Sequence, residues 1–260
     1  MDYNLSEWLN LMVRWFHVFA GILWVGQTFF FTWMDRTLDR EKSLWLVHSG
    51  GFYVVERQRV PENLPQTLHW FRWEAAMTWL SGMALLIIVY YLGGLMDTQA
   101  LGGVWISIFV SFMLLAVAWV VYEALWQSPL GRSESAGAVA SFILLVAVTF
   151  GLTRVMSGRA AYILVGAILG TFMTANVWLR ILPFQRQMVT AVKKGIPPDM
   201  SLGARAKQRT QHNTYMVVPV VFIMISNHFP VATYGNQYNW VVLSGLTIVG
   251  WVAARALRSR

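Results

Sequence analysis

A chain of 260 residues with 57% hydrophobic and only 12% charged side chains cannot present the surface of a water-soluble domain, where about 25% of residues are charged; it reads as an all-α, polytopic membrane helix bundle, one domain over residues 1–260. Cysteine is absent, which excludes disulfides, thiolate metal centres, iron–sulfur clusters and haem tethered through Cys-x-x-Cys-His, and leaves metal chemistry to His, carboxylates, Met and Tyr. The net charge of +8 does not point to nucleic acid, because the basic residues fall between apolar runs, where they set membrane topology.

Seven apolar runs have spanning length, at about 9–34, 71–95, 102–126, 136–153, 159–183, 213–231 and 239–257. The first is long and lacks a basic leader and a small-residue cleavage site, so no removable signal peptide is expected. Fifteen of the 20 basic residues lie in the connections 35–70 and 184–212, at Arg132, and in the tail from Arg255, all on one side of the alternating topology. The positive-inside rule then puts the N-terminus outside and the C-terminus in the cytoplasm.

Taken in order, the first run carries Arg14 and His17, the latter roughly a third of the way in from the outer face, followed by Ala20, Gly21 and Gly26, small residues that let a neighbour approach closely. The connection 35–70 holds His48-Ser-Gly-Gly-Phe-Tyr53 and Glu56, and a long, glycine-bearing, aromatic connection is more often functional than idle. The second run opens with His69-Trp-Phe-Arg72-Trp-Glu74; the third ends at Tyr122-Glu123 and the fifth at Asn176-Val-Trp-Leu-Arg180. The fourth and seventh runs have no ionisable residue in their interiors and read as scaffold. The sixth carries a histidine at each end, His212 and His228.

Topology sorts the histidines by depth. His17 and His228 lie toward the outer face, His69 and His212 at the inner one, and His48 in the connection. Two imidazoles at one depth on separate helices supply both axial ligands of a non-covalent haem b, so the pairs His17/His228 and His69/His212 predict one or two haems; the competing reading is that helix-end histidines rest at the headgroups. Arg14 is open to the same two readings, as a partner for a haem propionate or as a headgroup residue. At the inner side, Arg72 and Arg180 would hold a planar anion with Glu74 or Glu123 accepting a proton, or these residues are paired ions snorkelling to the cytoplasm.

The stretches Arg14-Trp-Phe-His17 through Gly26, His48-Ser-Gly-Gly-Phe-Tyr53-x-x-Glu56, His69-Trp-Phe-Arg72-Trp-Glu74 through Gly82, Asn176-Val-Trp178, His212-Asn-Thr-Tyr215 and Ser226-Asn-His228-Phe-Pro230 resemble, in order, the membrane domain of the bacterial membrane-bound urate oxidase (urate hydroxylase) family. The resemblance covers nearly the whole chain. It implies a multi-pass protein of the bacterial inner membrane that oxidises urate to 5-hydroxyisourate with a cytochrome c as acceptor, with His48, Tyr53, Glu56, Arg72 and Glu74 as the expected catalytic group. Family members continue into an eighth span and a cytochrome c domain, whereas this sequence stops after the seventh run with the basic tail Arg255 to Arg260. The expected acceptor is therefore a separate cytochrome c or another membrane redox complex. The alternative is a non-catalytic, haem-bearing electron-transfer or assembly subunit. A transporter is disfavoured by the lack of an inverted repeat or a pair of broken helices.

Overall fold

The computed structural model describes residues 4–96 and 102–259, and within them the chain forms seven helical rods and one β-hairpin. We label the rods α1 (Leu5–Arg40), α2 (Trp73–Leu92), α3 (Val104–Gln127), α4 (Glu134–Val155), α5 (Gly158–Lys193), α6 (Met200–Ser226) and α7 (Asn239–Ser259). All except α6 are long and apolar enough to cross a membrane. The protein is an all-α membrane bundle, as its composition requires, and the alternating rods collect the basic connections at one end, called here the basic end.

The rods depart from the apolar runs where polar residues are good helix formers. α5 runs on past its expected limit at 183 to Lys193, and α6 begins at Met200, so the connection expected over 184–212 shrinks to six residues. Its Gln, Arg, Lys and Ala residues carry high helix propensity, and apolarity alone does not register that. The polar first half of α6 is what keeps it out of the set of apolar spans. α6 also stops at Ser226, short of the expected 231, where Asn227 turns to accept hydrogen bonds from Tyr90 Oη (3.1 Å) and Arg159 Nε (3.2 Å). The Asp199 carboxylate starts α6 by accepting from the N–H (2.8 Å) and hydroxyl (2.9 Å) of Ser201, and these bonds hold it below the ordinary carboxylate pKa.

The connection 35–70 is likewise more ordered than a loop. After α1 the chain forms strand β1 (Ser43–His48) and its antiparallel partner β2 (Gly51–Glu56), joined by Ser49 and Gly50, both with positive φ (49° and 76°), the turn that matches strand twist in a tight hairpin. Arg57 then ties the hairpin to the end of α1, donating to the carbonyls of Asp35 (3.3 Å) and Leu38 (3.1 Å) and to Asp39 Oδ1 (2.5 Å). A guanidinium there meets the negative end of the helix dipole.

α5 is the central rod. Ala160, Ala161, Tyr162, Leu164 and Val165 are buried, and farther along Met173, Asn176 and Leu182 are too. Within it, residues Asn176–Ile181 form a π-turn, a form that concentrates at functional sites because it rotates successive side chains away from the α-helical pattern. α4 and α7 pack on each other through Phe142 with Trp251 and Phe150 with Trp240. α1 packs chiefly along α2, burying Ala20 and Trp24.

Candidate functional site

The π-turn of α5 and the facing ends of α3 and α6 assemble a buried polar network. Asn213 on α6 donates from Nδ2 to the Met173 carbonyl at 2.9 Å, and a carbonyl only accepts. That fixes the Asn213 amide, so its Oδ1 accepts from Asn176 Nδ2, also at 2.9 Å. The second Asn176 N–H goes to the Tyr122 hydroxyl at 3.0 Å. Tyr122 is left to spend its own proton on His212 Nδ1, 2.7 Å away. The chain of donors thus sets the His212 tautomer from its far end: Nδ1 accepts, and Nε2 carries the N–H.

Beside this network Glu123 binds two arginines, Arg180 Nε at 2.8 Å on one oxygen and Arg209 Nη2 at 3.0 Å on the other, with Gln127 donating to the first. Glu123 and Arg209 are both buried, which makes the pairing obligatory, because either charge alone would be uncompensated away from water. Arg209 also lies 5.1 Å over the Tyr122 ring.

Toward the basic end these groups open into a cavity of about 460 Å³ lined by Arg132, Arg180, Arg205 and Arg209, by the amides Gln127 and Gln208, and by the rings of Trp126 and Phe184. Arg205 stacks on Phe184 at 4.5 Å. Four guanidinium groups face one carboxylate, leaving a positive excess beside two aromatic rings, which suits an anion. Trp126 is held by a close approach from α4: a Cβ on Gly137 would fall 2.7 Å from the indole.

The family model described as urate oxidase N-terminal matches residues 3–259. The chain belongs to this family. No curated protein and no solved structure matches it.

In this urate oxidase N-terminal chain, the residues expected to act together are spread over three places. His48, Tyr53 and Glu56 lie on the hairpin and are exposed. Arg72 and Glu74 open α2, where the Arg72 guanidinium stands 5.4 Å from the Trp73 ring and 5.8 Å from Trp178 of the π-turn. Arg180 and Glu123, noted in sequence as inner ionisable residues, are joined directly, whereas Arg205 and Arg209 were read only as topology-setting charges of the connection 184–212 and Gln208 was not singled out. Their only sequence signal was helical spacing, Arg205, Gln208, Arg209 and His212 recurring at three and four residues along one stripe of α6.

The histidines can be tested as iron ligands on their own bonds. His17 Nδ1 lies 3.0 Å from both the Thr78 carbonyl and Ser81 Oγ, so it carries the proton and leaves the Nε2 lone pair free, the arrangement of a metal-ligating imidazole. Gly82 makes room for the ring, since a Cβ there would sit 3.0 Å from His17 Cε1. No hydrogen bond or ring contact joins His17 to His228, or His69 to His212, among the described residues. His228 is exposed and follows Asn227, which is bonded to Tyr90, roughly 12 Å farther along α2 than Ser81. His69 is exposed with its ring against Phe71 at 4.5 Å, whereas His212 is against Trp126 at 4.0 Å with its Nε2 protonated by the network. As single ligands, His17 fits haem iron; as pairs, the histidines are not brought into contact among the described residues. Arg14 donates to Asn10 Oδ1 at 3.1 Å on its own helix.

Proposed function

We propose that this protein oxidises urate to 5-hydroxyisourate in the arginine-lined cavity, at the cytoplasmic side of a bacterial inner membrane, and passes the electrons to a separate redox partner. The observation that carries this reading is the convergence of Arg132, Arg180, Arg205 and Arg209 on one cavity walled by Trp126 and Phe184, in a chain of the urate oxidase N-terminal family. Urate at neutral pH is a planar monoanion with amide-like edges. The arginines supply charge and paired N–H groups, the two rings supply faces, and Gln127 and Gln208 supply both donors and acceptors for the edges.

The oxidation removes two electrons and two protons and adds one water oxygen at the ring carbon. Drawing electron density from an anion is opposed by positive charge, but the same charge stabilises the more electron-rich urate dianion, so the arginines favour the proton loss that precedes electron loss. Both oxygens of Glu123 face guanidinium groups, so its part is to position Arg180 and Arg209. A haem b, when bound, supplies a one-electron relay to a cytochrome c; His17 is the residue whose Nε2 is free to hold it, and Arg14 one turn away brings the charge a propionate needs.

A second placement of substrate is favoured by one observation: Arg72 Nε, Glu74 Oε2 and Trp178 Nε1 are all buried without a hydrogen-bond partner. The two placements separate in one calorimetric experiment with urate and detergent-solubilised protein. Arg180→Ala is expected to weaken binding about tenfold or more and Arg72→Ala much less. The reverse order moves the substrate to the start of α2. Urate-dependent reduction of added cytochrome c under argon then tests turnover; binding without electron delivery to any acceptor would make the protein a non-catalytic subunit, and no binding at all would sink the urate reading.

A further inference from the structure

A second and larger cavity, about 670 Å³, shares Trp126 with the first and lies between α3, α4, α5, α6 and α7. Its walls are the apolar side chains of the bundle, Val117, Leu144, Ile168 and Phe172 among them, and its rim at the basic end carries Glu134, Arg255 and Arg258. Polar side chains also line it, Tyr122, Ser135, Gln211 and Tyr215 among them. Trp126 Nε1 and Ser141 Oγ are buried and have no hydrogen-bond partner, and His212 presents the Nε2–H that the Asn213–Asn176–Tyr122 chain fixes. Leaving buried donors unpaired in an apolar setting costs about 1–3 kcal/mol each, so two such donors beside the fixed His212 Nε2–H point to an occupant.

We propose that this cavity binds an isoprenoid quinone, with the ring between His212, Trp126 and Ser141 and the tail along the apolar wall. The three groups donate, so the occupant must accept. Ser141 lies about 10 Å deeper along α4 than the rim residue Glu134, so the acceptor must enter the bundle and not remain at its surface. A phospholipid would satisfy Arg255 and Arg258 at the rim but would send only hydrocarbon past the inner donors. A quinone is neutral, flat, carries a carbonyl oxygen on each side of its ring, and continues into hydrocarbon.

The position gives the ring a reaction, and this part rests on the urate reading above. Trp126 lines both cavities, so substrate and quinone would both border one indole. Urate, water and quinone would yield 5-hydroxyisourate and quinol: two electrons leave the purine, water supplies the oxygen of the new C–O bond, and two protons are released to water at the substrate side. The quinone takes up the two electrons and two protons. His212 Nε2–H delivers the first of these while Tyr122 gives its proton to Nδ1, and Arg209 over the phenol ring steadies the phenolate. The Nδ1 proton then returns to Tyr122 as water protonates Nε2, and a second round of the same relay supplies the second proton.

The test uses the full chain in dodecyl maltoside and decylubiquinone as the probe, followed by quenching of tryptophan fluorescence. Saturable, one-site quenching is expected, weakened about tenfold in His212→Leu and in Ser141→Val, each of which removes a donor. Ala138→Phe, which fills the cavity from α4, should abolish it. Since a variant can fail to fold, an organic extract of the wild-type protein is assayed in parallel, with about one quinone per chain expected. Quenching that only tracks the quinone content of the micelle and is equal in all variants overturns the proposal. So does an extract holding one tightly retained phospholipid that decylubiquinone does not displace. Urate-driven reduction of cytochrome c with no saturable quinone binding overturns this inference alone; saturable quinone binding without urate binding removes the substrate reading and leaves the quinone site standing.

Discussion

Tyr122 holds Nδ1 of His212 at 2.7 Å from a helix three rods away in sequence, and the direction of that bond is settled by a backbone carbonyl at the far end of the network. Tyr122→Phe removes the only group that can donate to Nδ1 there and leaves an Asn176 N–H unpaired. Thermal unfolding in detergent should report a loss of about 1–3 kcal/mol. Nitrogen NMR of labelled histidine should change from a single Nε2–H tautomer to a mixture; an unchanged tautomer would mean the network does not control it.

Glu123→Gln leaves Arg180 and Arg209 facing each other without their carboxylate. Removing one member of a buried ion pair costs on the order of 3 kcal/mol, and a clear drop in the thermal midpoint is expected. Urate should recover part of that drop, because a bound anion replaces the missing charge. A variant as stable as the parent would show that water already reaches these arginines freely.

Gly137→Ala is an unusual glycine substitution. In the first turn of α4 the change should favour the helix by up to about 1 kcal/mol, yet its Cβ would meet the Trp126 indole at 2.7 Å. The indole has to tilt, and since it lines both cavities, the affinities for urate and for decylubiquinone should fall together while the helical content measured by circular dichroism is kept. A fall in only one affinity would place the indole in that cavity alone.

Arg57→Ala cuts the hairpin from the end of α1. Its contacts are at least partly exposed and an ion pair of that kind contributes about 1 kcal/mol or less, so global stability should hardly move. Hydrogen exchange of residues 43–56 should nevertheless speed up, and high salt should produce a weaker version of the same effect in the parent protein. Unchanged exchange would show that the strands hold their place without the tie.

The bundle was legible in sequence because six of its rods are apolar over spanning length, and nothing but a membrane tolerates that pattern. The site was legible only in part. Glu123 and Arg180 stand out as charges at the ends of apolar runs, and His17 as an imidazole inside one. Arg205, Gln208 and Arg209 did not stand out, because positive charge beside a span has a sufficient explanation in topology; what turns them into a cavity wall is the early start of α6, set by helix propensity and the Asp199 cap. The hairpin was hidden for a related reason: Trp45, Val47, Phe52 and Val54 point outward, so the strands lack the alternation of a half-buried pair. The histidine pairs were inferred from depth along the membrane, which says nothing of which side of the bundle a residue faces.

His17 also has a consequence for the N-terminal arm as a whole. α1 is 36 residues long, about 54 Å, and leans mainly on α2, so an apolar rod of this kind is free to ride up or down in the bilayer with little change in burial. The bonds from His17 to Thr78 and Ser81, made through the notch at Gly82, stop that sliding: one helical turn of about 5.4 Å in either direction would strip the imidazole of both partners. A histidine about a third of the way along the arm therefore acts as a depth gauge, and the height at which the hairpin and Arg57 stand over the basic end is set 26 to 40 residues before them.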